Sequence, residues 1–194
     1  CHVVVSTIVG HWHTDCNCAM DSIITRLWRR KHPRGRIVRI PHIDIHRVGR
    51  GTEFTYSFGF NSSSFVDMPI SHKVFMAQFD TIKKIAEEEP CVIVGRCADY
   101  ALQEFNNCLN IFIYADEKSK IRRIMEKYDI SDDKAKDMMI KKDKQRQSYY
   151  NYYSTKKWGR ADSYDLCINS SVLGIDGTVK LITQYITEFE ARRK

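Results

Sequence analysis

The stretch Glu87-Glu88-Glu89-Pro90-Cys91-Val92-Ile93-Val94-Gly95-Arg96 decides the fold. Three glutamates and a proline end whatever helix precedes them. Four consecutive apolar residues closed by glycine then read as a strand buried on both faces, the kind a parallel sheet uses. An arginine directly after such a strand stands at its carboxyl end, where open α/β sheets bind ligands.

Working outward, Val74, Phe75, Ala77, Gln78, Ile82, Ile85 and Ala86 fall at helical spacing, which predicts a helix from Ile70 to Glu89. Downstream, Arg96 to Phe105 reads as a short helix and Leu109 to Ala115 as a second buried strand. Asp116 is placed to cap a helix reaching about Tyr128, and Ser131-Asp132-Asp133 to cap a long polar helix running through Tyr153. Asp165 to Asn169 is a third strand; Gly174 to Gly177 turns the chain into a last helix from Thr178 to about Arg192. Strands alternating with helices predict βαβ units and a mainly parallel sheet flanked by helices. Right-handed crossovers put the loops after Gly95 and Ala115 on one rim.

The chain has 194 residues, 43% of them hydrophobic, enough for one domain with a full core. Its apolar runs are too short to span a membrane, and Cys1 to Gly10 lacks the basic start of a signal peptide. Seven cysteines, with Cys91 and Cys167 inside strand-like runs, fit buried thiols of a cytoplasmic protein.

The net charge of +7 suggests an anionic partner, but it is unevenly spread. Residues 1–50 hold nine Lys+Arg against three Asp+Glu; residues 51–194 hold 22 against 21. Six of the seven histidines lie in the first 50 residues, and no glutamate occurs before Glu53. Two compositions meet near residue 50.

Cations gather where a rim is expected. Arg96 follows its strand, Arg122 and Arg123 lie early in the helix after the second strand, and Arg146 sits in the long polar helix. Guanidinium groups at strand ends suit bidentate phosphate binding. Tyr149, Tyr150, Tyr152 and Tyr153, flanked by lysines, either stack nucleobases or pack on the sheet and on each other.

Three strings, "CVIVGRCADYAL", "NIFIYADEKSKIRRIME" and "KKDKQRQSYYNYYSTKKWGRADSYDLCINSSVLGIDG", resemble the cytidylate kinase-like family, a branch of the P-loop nucleoside monophosphate kinases. The resemblance covers about residues 53–185 and leaves residues 1–50 outside it. It implies a three-layer P-loop NTPase-type fold with a helical lid over about residues 117–160. It also implies a phosphotransferase that moves a phosphoryl group from ATP with Mg2+ to a nucleoside monophosphate such as CMP or dCMP. Arg96 then holds the acceptor phosphate, with Asp99 nearby as a polar or base contact. Arg122 and Arg123 face the transferring phosphates, and Asp143 and Arg146 form the lid's Asp-x-x-Arg element. Nucleotides are the implied partners, with neither nucleic acid nor a membrane, and no dedicated metal ligands are implied.

One part of that pattern is missing. A P-loop needs glycines between the first strand and first helix, so that backbone N–H groups can cradle phosphates. Here that stretch reads "VVVSTIVGHWHTDCNCAMD", with Gly10 alone. The cofactor-binding residues therefore stay unidentified. One explanation is a divergent segment in which His11, His13, Cys16 and Cys18 bind zinc, although their spacing matches no standard finger. The other is translation of residues 1 to about 50 in the wrong frame. Shifting the frame forces Leu from His11–Trp12, Ala from Trp12–His13, Leu from Asp15–Cys16 and from Asn17–Cys18, and Gly from Met20–Asp21. That pattern resembles the family's first helix. An active kinase, a nucleotide-binding protein without catalysis, and a nucleic-acid binder are the competing functions. The third is the weakest, because the part of the chain that resembles a family is nearly neutral.

Overall fold

The computed structural model describes residues 4–9, 36–39 and 69–192. Side chains are described from residue 69 onward. The described strands are β1 (Val4–Val9), β2 (Arg36–Arg39), β3 (Cys91–Val94), β4 (Cys108–Tyr114) and β5 (Leu166–Asn169). They form one sheet in the order β2-β3-β1-β4-β5. Every pairing is parallel, with Val5 opposite Val92 and Leu109, and Ile37 also opposite Val92. All five carboxyl ends therefore lie on one rim. The expectation of a mainly parallel α/β sheet holds.

The helices are α1 (Ile70–Glu88), α2 (Ala98–Ala101), α3 (Glu117–Tyr128), α4 (Asp132–Tyr153) and α5 (Ser170–Ala191). Phe75, Gln78, Ile82 and Ala86, at the spacing of one helical face, are the buried residues of α1. Ile82 and Ala86 pack with Cys91, Ile93 and Leu102, while Val92, between Cys91 and Ile93, packs with Leu109, Ile111, Ile113 and Ile182. Neighbours in β3 thus feed different clusters, which is why its whole run is apolar.

Two local expectations change. The helix expected over Arg96 to Phe105 is only one turn, Ala98–Ala101. The last helix begins at Ser170, not Thr178, and is broken at Gly174, where φ 64 and ψ −174 are open to glycine. Asn169 explains the early start: its side chain accepts from the Ser171 N–H at 3.0 Å, satisfying a first-turn donor. At the other helix starts, Asp116 and Ser131 occupy the N-cap positions without a side-chain cap hydrogen bond. Asp116 instead accepts from Asn169 Nδ2 at 2.8 Å, tying the ends of β4 and β5 together.

Among the described residues no helix is long and apolar enough to cross a membrane. Of the described cysteines, Cys91 and Cys97 are buried and Cys108 and Cys167 partly so, all as free thiols. The stretch that lacks glycines, with His11, His13, Cys16 and Cys18, lies outside the described residues.

Candidate functional site at the carboxyl rim of the sheet

β3 ends in three consecutive left-handed residues: Gly95 at φ 75, Arg96 at φ 60 and Cys97 at φ 54. Two of them carry a Cβ, and each costs about 1–2 kcal/mol in that conformation. Strain of this kind is kept where surroundings over-determine it. Here the loop re-aims the chain from strand into α2 and puts the Arg96 side chain against α4. Its guanidinium carbon lies 5.3 Å from the centre of the Tyr149 ring. Its Nη2 is buried, with no hydrogen-bond partner among the described residues. A buried unmatched guanidinium N–H is costly, and an anion would satisfy it.

The Tyr149 hydroxyl donates to Gln78 Oε1 at 3.3 Å and is also in hydrogen-bonding reach of the Arg96 side chain. Burial pushes the Tyr149 phenol up to about 12, against the opposing pull of the neighbouring Arg96. Tyr153, one turn on, stacks on Phe75 of α1 with ring centres 4.2 Å apart. Tyr152 is 76% exposed. Packing therefore accounts for three of the four tyrosines.

Asp99 is fully buried. Its Oδ2 accepts from the Tyr150 hydroxyl at 2.6 Å and from Lys156 Nζ at 3.3 Å. Both partners sit on that one oxygen; Oδ1 is also buried and has no hydrogen-bond partner among the described residues. Hydrogen bonds to a charged carboxylate contribute about 1.5–3 kcal/mol each. Burial and the adjacent Asp99 carboxylate hold the Tyr150 phenol well above its ordinary range. Sequence reasoning missed both partners, which lie 51 and 57 residues from Asp99.

The second cluster joins α3 to α4. Asp143 lies 3.6 Å from Lys120 Nζ and 3.7 Å from Arg146. The Lys120 side chain is only 9% exposed, so its ammonium is drawn into the helix pair. Arg123 is half-buried. Arg122 differs: its side chain is 71% exposed and pairs with Glu126 at 3.9 Å. The structure thus separates two arginines that the resemblance had placed together. The Ile121, Ile124 and Tyr128 stripe, with Glu126 four residues after Arg122, was the available signal.

These features define a parallel α/β protein with Arg96 at the carboxyl end of β3. A model of the cytidylate kinase-like family matches residues 36–172, and the chain belongs to that family. The match takes in residues 36–50, which the composition had grouped with the segment before them. A crystal structure of an uncharacterized protein from Eubacterium ventriosum is similar at 24% identity and TM-score 0.71, over 96% of this chain and 99% of that one. Shikimate kinase from Bacteroides thetaiotaomicron is similar at 13% identity and TM-score 0.53, over 95% and 98%. Both are likenesses of fold. A comparison with curated proteins gave no match.

Proposed function

We propose that this protein transfers a phosphoryl group from ATP to a nucleoside monophosphate of the CMP or dCMP type. The observation that carries the reading is that one helix serves both clusters. α4 holds Arg146 in the Asp143 cluster and, one turn later, Tyr149 under Arg96. Phosphoryl transfer asks for little covalent chemistry from the protein; it needs positioning, and positive charge on the equatorial oxygens. In this reading Arg96 holds the acceptor phosphate, while Arg123 and Arg146, with Asp143 orienting Arg146, meet the transferring group. Helices α3 and α4 then form the lid of a three-layer P-loop fold.

The buried, unmatched Nη2 of Arg96 fits an acceptor phosphate. Mg2+ would enter as the counter-ion of ATP. Among the described residues no cluster of His, Cys, Asp or Glu could hold a metal by itself. The segment expected to cradle the ATP phosphates lies outside the described residues. In this reading the enzyme is cytoplasmic and acts on free nucleotides rather than on nucleic acid or at a membrane.

The test is ADP release coupled to a reporter enzyme, with CMP, dCMP, UMP and AMP as acceptors. Turnover with the cytidine nucleotides is the expected result. Binding of CMP without ADP release would support the second reading, a nucleotide-binding protein without catalysis, which the missing glycines after β1 favour.

A further inference from the structure

The Gly95–Cys97 loop has few local restraints for a run of three left-handed residues. Three backbone bonds follow it, from the Ala98 N–H to the Gly95 carbonyl at 3.3 Å and from the Tyr100 and Ala101 N–H groups to the Cys97 carbonyl, each at 3.0 Å. Cys97 occupies the N-cap position of α2 without a side-chain cap bond. Cys97 packs in a cluster with Phe75, Phe112 and Tyr150, and the polar tie to another element is Asp99, three residues after Arg96. Its carboxylate is fully buried and takes both the Tyr150 hydroxyl and the Lys156 ammonium on one oxygen.

The two donors come from different segments and are themselves fixed. Tyr150 is 3% exposed and rides on the last turns of α4. Lys156 follows the helix, in a turn set by Ser154. The buried Ser154 hydroxyl donates to the Tyr150 carbonyl at 2.7 Å and accepts from the Lys156 N–H at 3.3 Å. A further clasp, from the Trp158 N–H to Asn151 Oδ1 at 3.0 Å, folds the same segment back on α4. The residue before Tyr150 is Tyr149, the ring beneath Arg96. Consecutive residues of α4 therefore hold Arg96 within the loop and Asp99 in the turn that follows it.

We infer that Tyr150 and Lys156 are positioning residues that act through Asp99, holding the left-handed Gly95–Cys97 loop so that Arg96 presents its guanidinium to the acceptor phosphate. The inference rests on reading Arg96 as the acceptor-phosphate ligand. It gives a reason for a fully buried carboxylate beside the site: through Oδ2, with its two donors, the anion anchors the loop. A lysine and a phenol on the same oxygen hold the carboxylate more firmly than either alone.

The test uses the full chain and two readouts. Tyr150→Phe removes the hydroxyl and keeps the ring. Amide hydrogen exchange at Arg96–Ala98 should then be at least tenfold faster, while the amides of β4 stay as in the wild type. In isothermal titration, the CMP dissociation constant should rise at least fivefold. It should rise no further when Tyr150→Phe is added to Arg96→Ala, because the two act on one contact. Unchanged exchange at Arg96–Ala98 overturns the inference, and so does an undiminished effect of Tyr150→Phe in the Arg96→Ala background. If Arg96→Ala itself leaves CMP binding unchanged, the acceptor-site reading fails, and the exchange rates alone then judge the loop. Should Tyr150→Phe not fold, Lys156→Met carries the same measurements, its side chain being 26% exposed. Lys156→Arg, which restores a donor to Asp99, should recover most of the wild-type values, a rescue that lost packing alone would not show.

Discussion

The Arg96 guanidinium carbon stands 5.3 Å from the centre of the Tyr149 ring, and the Tyr149 hydroxyl is anchored in turn on Gln78. The ring carries the cation without neutralising it, so the charge stays available to an anion. Arg96→Ala is therefore expected to raise the acceptor KM more than tenfold in the coupled assay. Tyr149→Leu removes only the support, about 0.5–1 kcal/mol for such a contact, and should raise KM about two- to fivefold. Equal effects of the two substitutions would show that the ring does more than hold the arginine.

The parallel sheet was legible because strands buried on both faces show as unbroken apolar runs, as in Cys91–Val94. Arg96 was legible because it abuts such a run. The burial of Asp99 was not legible: an aspartate at a helix start looks exposed, and only tertiary contacts with Tyr150 and Lys156 show that it is buried. The left-handed run at Gly95–Cys97 was hidden for the same reason, since local preference argues against Arg and Cys there. β2 was also unread, its four residues lying among arginines in a segment of foreign composition.

Arg122 and Arg123 make a paired prediction. They are neighbours about 100° apart around α3, and only Arg123 is half-buried. Arg123→Ala should cut turnover more than tenfold with the circular dichroism spectrum unchanged, as one lost charge contact in the transition state implies. Arg122→Ala, which removes a surface pair with Glu126, should leave turnover within about twofold and stability within about 0.5 kcal/mol. A larger loss from Arg122→Ala than from Arg123→Ala would reverse the assignment.

Alkali should weaken the fold from about pH 9 upward. Burial pushes the Cys91 and Cys97 thiols up to about 12 from 9.0, and the Tyr164 phenol up to about 12 from 10.0. Below pH 9 both folded and unfolded chains keep these protons. Between pH 9 and 12 the unfolded chain releases them first, binds fewer protons than the folded one, and gains stability as pH rises. The thermal midpoint should fall between pH 8 and 10.5, and fall less in a Cys91→Ala/Cys97→Ala variant. At pH 8 neither thiol should be labelled by a disulfide reagent in the native chain, as peptide mass mapping would show.

The final prediction concerns the coding DNA. β1 pairs with β3 and β4 at the centre of the sheet, the place from which a phosphate-cradling loop would spring, yet the sequence after Val9 offers Gly10 alone before a run of His, Trp and Cys. Backbone N–H groups can approach a pyrophosphate closely only where side chains are small. We therefore expect resequencing to find a one-nucleotide insertion or deletion within codons 30–55, an interval holding both the start of the family match at residue 36 and the change of composition near residue 50. The shifted frame should supply the Leu, Ala and Gly residues forced by His11–Trp12, Trp12–His13 and Met20–Asp21. A chain made from the corrected frame should release ADP with CMP at a rate at least a hundredfold above the chain as it stands, because an ATP cradle is then present. An uninterrupted single frame across these codons would sink the idea. It would also turn attention to the nucleotide-binding reading, in which Arg96 works without a donor site.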